Sequence, residues 1–164
     1  NAFARVVMNA AKDGECFPVS AIQEIAIEKN KTVQLHEYQL CSQPLLATKI
    51  LMPHRAHVFH ENKPQMDHIF PLNLKGAGDT YRDVVDVLWN LQPMPAGVNN
   101  YKRARHPKEF FNSEDGQKYR DSYDFVPPPN DALWDNPEGF IAYRKDAMVK
   151  ALEDKYGIYL VHQE

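Results

Sequence analysis

Asp67 and His68 are adjacent, Asn90 follows at a distance, and Asn99 stands three residues before Lys102. These are the side chains that hydrolysis of a phosphodiester asks for. The reaction takes a base to deprotonate water, a hard divalent cation to neutralise phosphate and leaving oxygen, and positive side chains to hold the backbone. Asp67 and Asn99 offer hard oxygen ligands, His68 offers an imidazole, and Lys102 offers the cation. Residues that neighbour each other on a strand point to opposite sides, so Asp67 and His68 can serve different partners. Asn99, at the start of a following helix, can close a metal site from the other wall, and Asn100 competes with it for that role. The two differ by about 100° around a helix.

Several elements must position these groups. Met66, Ile69 and Phe70 offer a short apolar strand, and Lys75 to Gly78 is a turn. Thr80 caps a helix whose Tyr81, Val84, Val85 and Leu88 fall on one face. Leu91 to Met94 reads as a second short strand, and Pro95-Ala-Gly97 precedes a basic helix from about Val98 to Phe111. Upstream, Phe3 to Ala10, Ser20 to about Lys29 and Leu45 to Met52 read as helices, the last closed by Pro53. Downstream, Asn112 to Asn136 reads as a polar surface connection with Pro127-Pro-Pro129 extended. Asn136-Pro137 then opens a last helix with Phe140, Ile141, Met148 and Leu152 as its buried stripe and Gly157 as its stop.

The run MDHIFP followed by WNLQPMPAGVNNYK resembles the HNH nuclease motif, whose ββα-metal fold carries a D-H pair, a central N and a terminal N followed by x-x-K. The flanking helices and the phrase ENKPQMDHIFP further resemble the C-terminal nuclease domain of GmrSD-type modification-dependent restriction enzymes and the phosphorothioate-linked phage-defence nicking nuclease. The resemblance implies an α+β fold, a mostly helical domain with an embedded ββα-metal (HNH) motif whose core spans about residues 66–111. It implies a metal-dependent DNA endonuclease with His68 as general base and Lys102 near the phosphate. Asp67 and Asn99 would hold one Mg2+ or Mn2+ ion, and Asn90 would support the loop between the strands. Restriction or phage defence is the implied setting. Many HNH proteins also carry two cysteine pairs around a structural zinc. Pro95 and Val98 stand where the second pair would be, so no structural zinc is expected.

Lys102, Arg103, Arg105 and Lys108 concentrate positive charge on the expected basic helix. Beside this motif Arg103, Arg105 and Lys108 read as contacts to the nucleic-acid backbone, where most nonspecific affinity arises. Tyr101 reads equally as a base-stacking or a packing residue. His54, His57 and His60 form a rival H-x-x-H-x-x-H cluster for a zinc-dependent hydrolase, although neither helix nor strand geometry clearly converges the three. A non-catalytic HNH-like nucleic-acid-binding or protein-interaction module is the alternative from another class.

The chain has 164 residues with 19 basic against 22 acidic side chains, which excludes a protein that coats nucleic acid over its whole surface. That length fits one domain over residues 1–164, read as a piece of a longer protein because it begins at Asn1, and as its C-terminal part by the resemblance. Cys16 and Cys41 lack any C-x-x-C partner, so a cysteine-built zinc ribbon is excluded. With no apolar run of about 18 residues, a cytoplasmic location is the expectation. DNA is the expected partner, with other domains or a partner sensor protein, and homodimerisation is open.

Overall fold

The computed structural model describes residues 33–56 and 65–161. In chain order they form β1 (Val33–His36), α1 (Glu37–Cys41), α2 (Pro44–Leu51), α3 (Pro53–Ala56), β2 (Gln65–His68), α4 (Tyr81–Val85), β3 (Leu91–Met94), α5 (Ala96–Lys102), α6 (Pro107–Asn112), α7 (Glu114–Gln117), α8 (Pro137–Tyr156) and β4 (Ile158–Val161). Short 3-10 turns lie at Leu88–Asn90, Arg120–Ser122 and Ala132–Asp135. The fold is mixed, with helices dominating two small sheets. The helices expected in the first thirty residues lie outside the described residues. No described helix is long and apolar enough to cross a membrane.

Length alone suggests one domain; the contacts gather into two compact units, one comprising residues up to Pro53 with Val149 onward, the other running from His54 to Met148. In the first unit β1 and β4 pair in parallel, Val33 opposite Ile158. Leu40, Ala47, Ile50, Leu51, Leu152 and Ile158 are buried there. The Tyr156 hydroxyl donates to the Ile50 carbonyl at 3.0 Å, giving a buried polar group its partner. Gly157 follows α8 at φ 61°, a conformation that glycine adopts without a Cβ penalty, and the chain turns there into β4.

The second unit holds Asp67, His68, Asn90, Asn99 and Lys102. β2 and β3 pair antiparallel, with Asp67 opposite Gln92 and His68 opposite Leu91. Its core is aromatic: Phe70, Phe110, Phe111, Tyr123, Trp134 and Phe140 are buried with Ile69, Val85 and Met94. Phe111 stands edge-on to Tyr123 at 4.8 Å, and Trp134 lies 5.2 Å from Phe140 between ring centres. Each such side chain contributes on the order of 1.5–3 kcal/mol by leaving water. The Trp134 indole N–H donates to the Pro128 carbonyl at 2.8 Å, so the ring's polar edge is satisfied.

Four expectations are corrected. The first strand ends at His68, and Ile69 and Phe70 bury themselves in the loop that follows. The helix from Tyr81 stops at Val85, and Thr80 makes no side-chain cap bond. The segment 112–136 is no mere surface connection, since Tyr123 and Trp134 reach the core. The expected basic helix from Val98 to Phe111 is two helices, α5 and α6. Pro107 explains the break: its ring pushes the preceding residue out of helical geometry, and His106 is extended at φ −58°, ψ 135°.

α6 and α7 meet at Gly116, where an added Cβ would stand 1.7 Å from the Phe110 carbonyl oxygen. That neighbour is backbone and cannot swing away. Gly116→Ala should therefore destabilise the unit by about 1–3 kcal/mol, whereas Gly97→Ala, where a Cβ meets open space inside α5, should be neutral or stabilising by up to about 1 kcal/mol. Chemical denaturation of the two variants checks the difference; equal effects would contradict the close approach of α6 and α7.

Candidate active site

A strand puts alternate residues on one face, so Gln65 and Asp67 share a side of β2. A helix brings residues three apart together, so Asn99 and Lys102 share a side of α5. The two pairs meet. The Asn99 side-chain N–H donates to Gln65 Oε1 at 2.9 Å, and Lys102 Nζ donates to Asp67 Oδ1 at 3.0 Å. Lys102 Nζ also donates to the His68 carbonyl at 2.7 Å. Lys102 is fully buried and Asp67 is 4% exposed, so the pair is an interior one. The other carboxylate oxygen, Asp67 Oδ2, accepts the Tyr123 hydroxyl at 3.0 Å.

Burial disfavours both charges: it pushes the Asp67 carboxyl up, against Lys102 and Tyr123, and pulls the Lys102 ammonium down, against the attraction of Asp67. Burial and the adjacent Asp67 carboxylate likewise push the Tyr123 hydroxyl up, so it remains a donor.

Beneath β3 lies a second polar layer. Arg144, fully buried on α8, donates to the carbonyls of Trp89 and Leu91 at 2.6 and 3.1 Å, to Gln92 Oε1 at 3.0 Å and to the Asp124 carbonyl at 3.1 Å. Gln92 answers with a bond to Asp124 Oδ2 at 3.0 Å, and Arg55 pairs with the same carboxylate at 2.9 Å. These contacts fix the carbonyls at the end of the Leu88–Asn90 turn. They fill the donor capacity of a guanidinium that would otherwise be very costly to bury.

Asn90 is fully buried. Its side-chain oxygen accepts the Phe70 N–H at 2.9 Å, and its N–H groups donate to the carbonyls of Phe70 and Val85, both at 2.8 Å. It thereby ties the loop after β2 to the end of α4.

His68 faces the other way from Asp67. Its Nε2 lies 3.1 Å from Asp86 Oδ1, with the imidazole side chain 24% and the carboxylate 51% exposed. Sequence reasoning missed Asp86, Tyr123, Gln92 and Arg144. Only their fold placement marks them; Gln92 lies in the run WNLQPMPAGVNNYK, but the sequence does not show the bonds it makes.

The positive side chains expected to share one helix are dispersed. Arg105 folds back over the C-terminus of α5, donating to the carbonyls of Lys102 and Tyr101 at 3.1 and 2.6 Å and lying 4.8 Å from the Tyr101 ring centre. This answers carbonyls that a helix end leaves without partners. Lys108 pairs with Asp135 at the surface. Arg103 is exposed, at φ 53°, a left-handed conformation that strains a residue with a Cβ. It lines an open depression of about 650 Å3 with Gly97, Asn100, Tyr101 and Arg105. Asn100 is exposed and Asn99 half-buried. The Tyr101 hydroxyl bonds to Asp115.

Among the described residues no group of three or more His, Cys, Asp and Glu side chains is gathered as a metal site. Of the rival cluster, the side chain of His54 and all of His57 and His60 lie outside the described residues. Compared with known proteins, the chain matches no family model, no curated protein and no solved structure.

Two predictions follow from this geometry. Asn90→Ala leaves the Phe70 N–H and two carbonyls unanswered in the interior, and should cost about 3 kcal/mol or more in denaturant unfolding, since each of the three orphaned groups carries roughly 1–3 kcal/mol. A cost below that of an ordinary surface substitution would contradict the bonding described.

His106 caps α6 through Nδ1, which accepts the Lys108 N–H at 3.2 Å and so must be unprotonated. Burial also holds its pKa below the ordinary value. The unfolded chain then takes the proton first as pH falls, so this stabilisation is present above about pH 6.5 and is lost as pH drops through the lower folded-state value. His106→Asn, which keeps a capping oxygen without titrating, should lose less melting temperature between pH 7.5 and 5.5 than the unaltered chain. An identical loss would contradict the capping role.

Proposed function

We propose that the chain is an HNH-type nuclease that hydrolyses DNA phosphodiesters with His68 as general base. The observation that carries this reading is the placement of His68: half-buried at the end of β2, in a β2–β3–α5 order, with Nε2 against Asp86 Oδ1 at 3.1 Å. An imidazole that donates its Nε2–H to a carboxylate keeps its lone pair on Nδ1. Nδ1 is then the atom that takes the proton of the attacking water, and Asp86 is the positioning residue that fixes the ring and balances the charge it acquires.

The loop that Asn90 ties to Phe70 and Val85 follows His68 directly, so Asn90 supports the base without touching substrate. The depression bearing Arg103 and Arg105 is the proposed seat of the DNA backbone, with exposed Arg103 supplying the phosphate contact. Other domains or a partner sensor protein would supply recognition, and the setting in restriction or phage defence rests on the sequence resemblance.

A divalent ion would supply charge neutralisation at the phosphate. The donor set expected to hold it does not fit as arranged: both oxygens of Asp67 have partners, one of them a lysine ammonium, while Asn99 gives only its side-chain N–H, to Gln65. The same commitment of Asp67 to Lys102 favours a second reading, a non-catalytic HNH-like module that binds nucleic acid or protein.

Conversion of supercoiled plasmid in Mg2+, Mn2+, Zn2+ and EDTA separates the two readings. Cleavage by the unaltered chain should fall about 10²–10⁴-fold in His68→Ala, with folding and DNA binding retained. Undiminished cleavage by folded His68→Ala would remove His68 as the base, and DNA binding without cleavage under every condition would establish the non-catalytic module.

A further inference from the structure

We infer that Lys102 is the built-in counter-cation of this site: its ammonium bridges Asp67 Oδ1 and the His68 carbonyl, so Asp67 holds β2 to α5 and is not a ligand for a divalent ion. This concerns the site on which the nuclease reading rests, but it stands or falls on ion binding, whatever the outcome for cleavage.

The geometry points there from two sides. Lys102 reaches the carboxylate from inside the fold, fully buried, with Nζ donating to Asp67 Oδ1 at 3.0 Å and to the His68 carbonyl at 2.7 Å. The second carboxylate oxygen accepts the Tyr123 hydroxyl at 3.0 Å, so each oxygen already has its donor. Asn99, the other expected ligand, gives its side-chain N–H to Gln65 at 2.9 Å and so adds a second bond between α5 and β2.

A Mg2+ or Mn2+ ion seated on Asp67 would approach an oxygen to about 2.1 Å. It would then share a buried carboxylate with an ammonium, and two cations at that range repel strongly where little water screens them. For the ion to win, Lys102 must leave both acceptors and swing its chain out of the core. Lys102, read in sequence as a phosphate contact, acts instead as a rung joining α5 to β2, beside the rung that Asn99 makes to Gln65.

The test is Mn2+ binding to the full chain in the absence of DNA, by calorimetry and by thermal shift. Asp67→Asn combined with Lys102→Met removes both charges while keeping volume, a change that folds tolerate far better than removal of one partner. The unaltered chain and this double variant should show the same Mn2+ affinity, including none in either. Lys102→Met alone, which leaves Asp67 without its cation, should gain a Mn2+-dependent rise in melting temperature, or fold only when Mn2+ is added. A loss of Mn2+ affinity of about tenfold or more in the folded double variant would overturn the inference, because Asp67 would then be an ion ligand in the unaltered chain. So would a Lys102→Met variant that is folded and indifferent to Mn2+.

Discussion

Asp67 and Lys102 pair inside the fold, and the candidate site takes its shape from that pair. Neither charge belongs in an interior alone, since an isolated buried ion is very costly. The two therefore have to meet, and their meeting fixes the distance and rotation between β2 and α5. Tyr123 completes the carboxylate from a segment that would otherwise be an irregular surface run. Once Asp67 faces inward, the alternation of the strand turns His68 outward toward Asp86. The half-buried imidazole, turned away from the core, is thus a consequence of the buried carboxylate.

The remaining polar contacts hold that arrangement from behind. Asn90 ties the loop after His68 to the end of α4, and Arg144 gathers carbonyls from the Leu88–Asn90 turn, β3 and Asp124. A strand pair of four residues each would be marginal by itself. Here it is pinned on one side by α5 and along β3 by a guanidinium whose donors are nearly all used. Such a network favours one arrangement over its neighbours, because shifting the register would orphan several buried groups together.

Much of this frame was legible in the sequence, for reasons tied to particular residues. Alternating and helical spacing gave the order of strand, loop, strand and helix, and Asn136-Pro137 with Gly157 marked the ends of α8 within a residue. What escaped was the direction in which polar side chains point. Lys102 reads as a solvent-facing cation because lysines usually are; only the tertiary position of Asp67 makes it an interior one. Arg105 and Lys108 read as a shared basic face because the run of charge continues across Pro107, whose ring ends helical geometry at His106. Tyr123 and Trp134 sit in a polar, proline-rich stretch whose composition signals a surface loop, and their burial depends on partners in α6 and α8.

The most direct measurement of the central pair is a double-mutant cycle on unfolding free energy with Asp67→Asn, Lys102→Met and both together. If the two charges share one buried bond, each single change should cost roughly 3–5 kcal/mol and the double change far less than their sum. Strictly additive costs would mean that the two side chains do not meet, and the account of β2, α5 and the outward-facing His68 would fall with them.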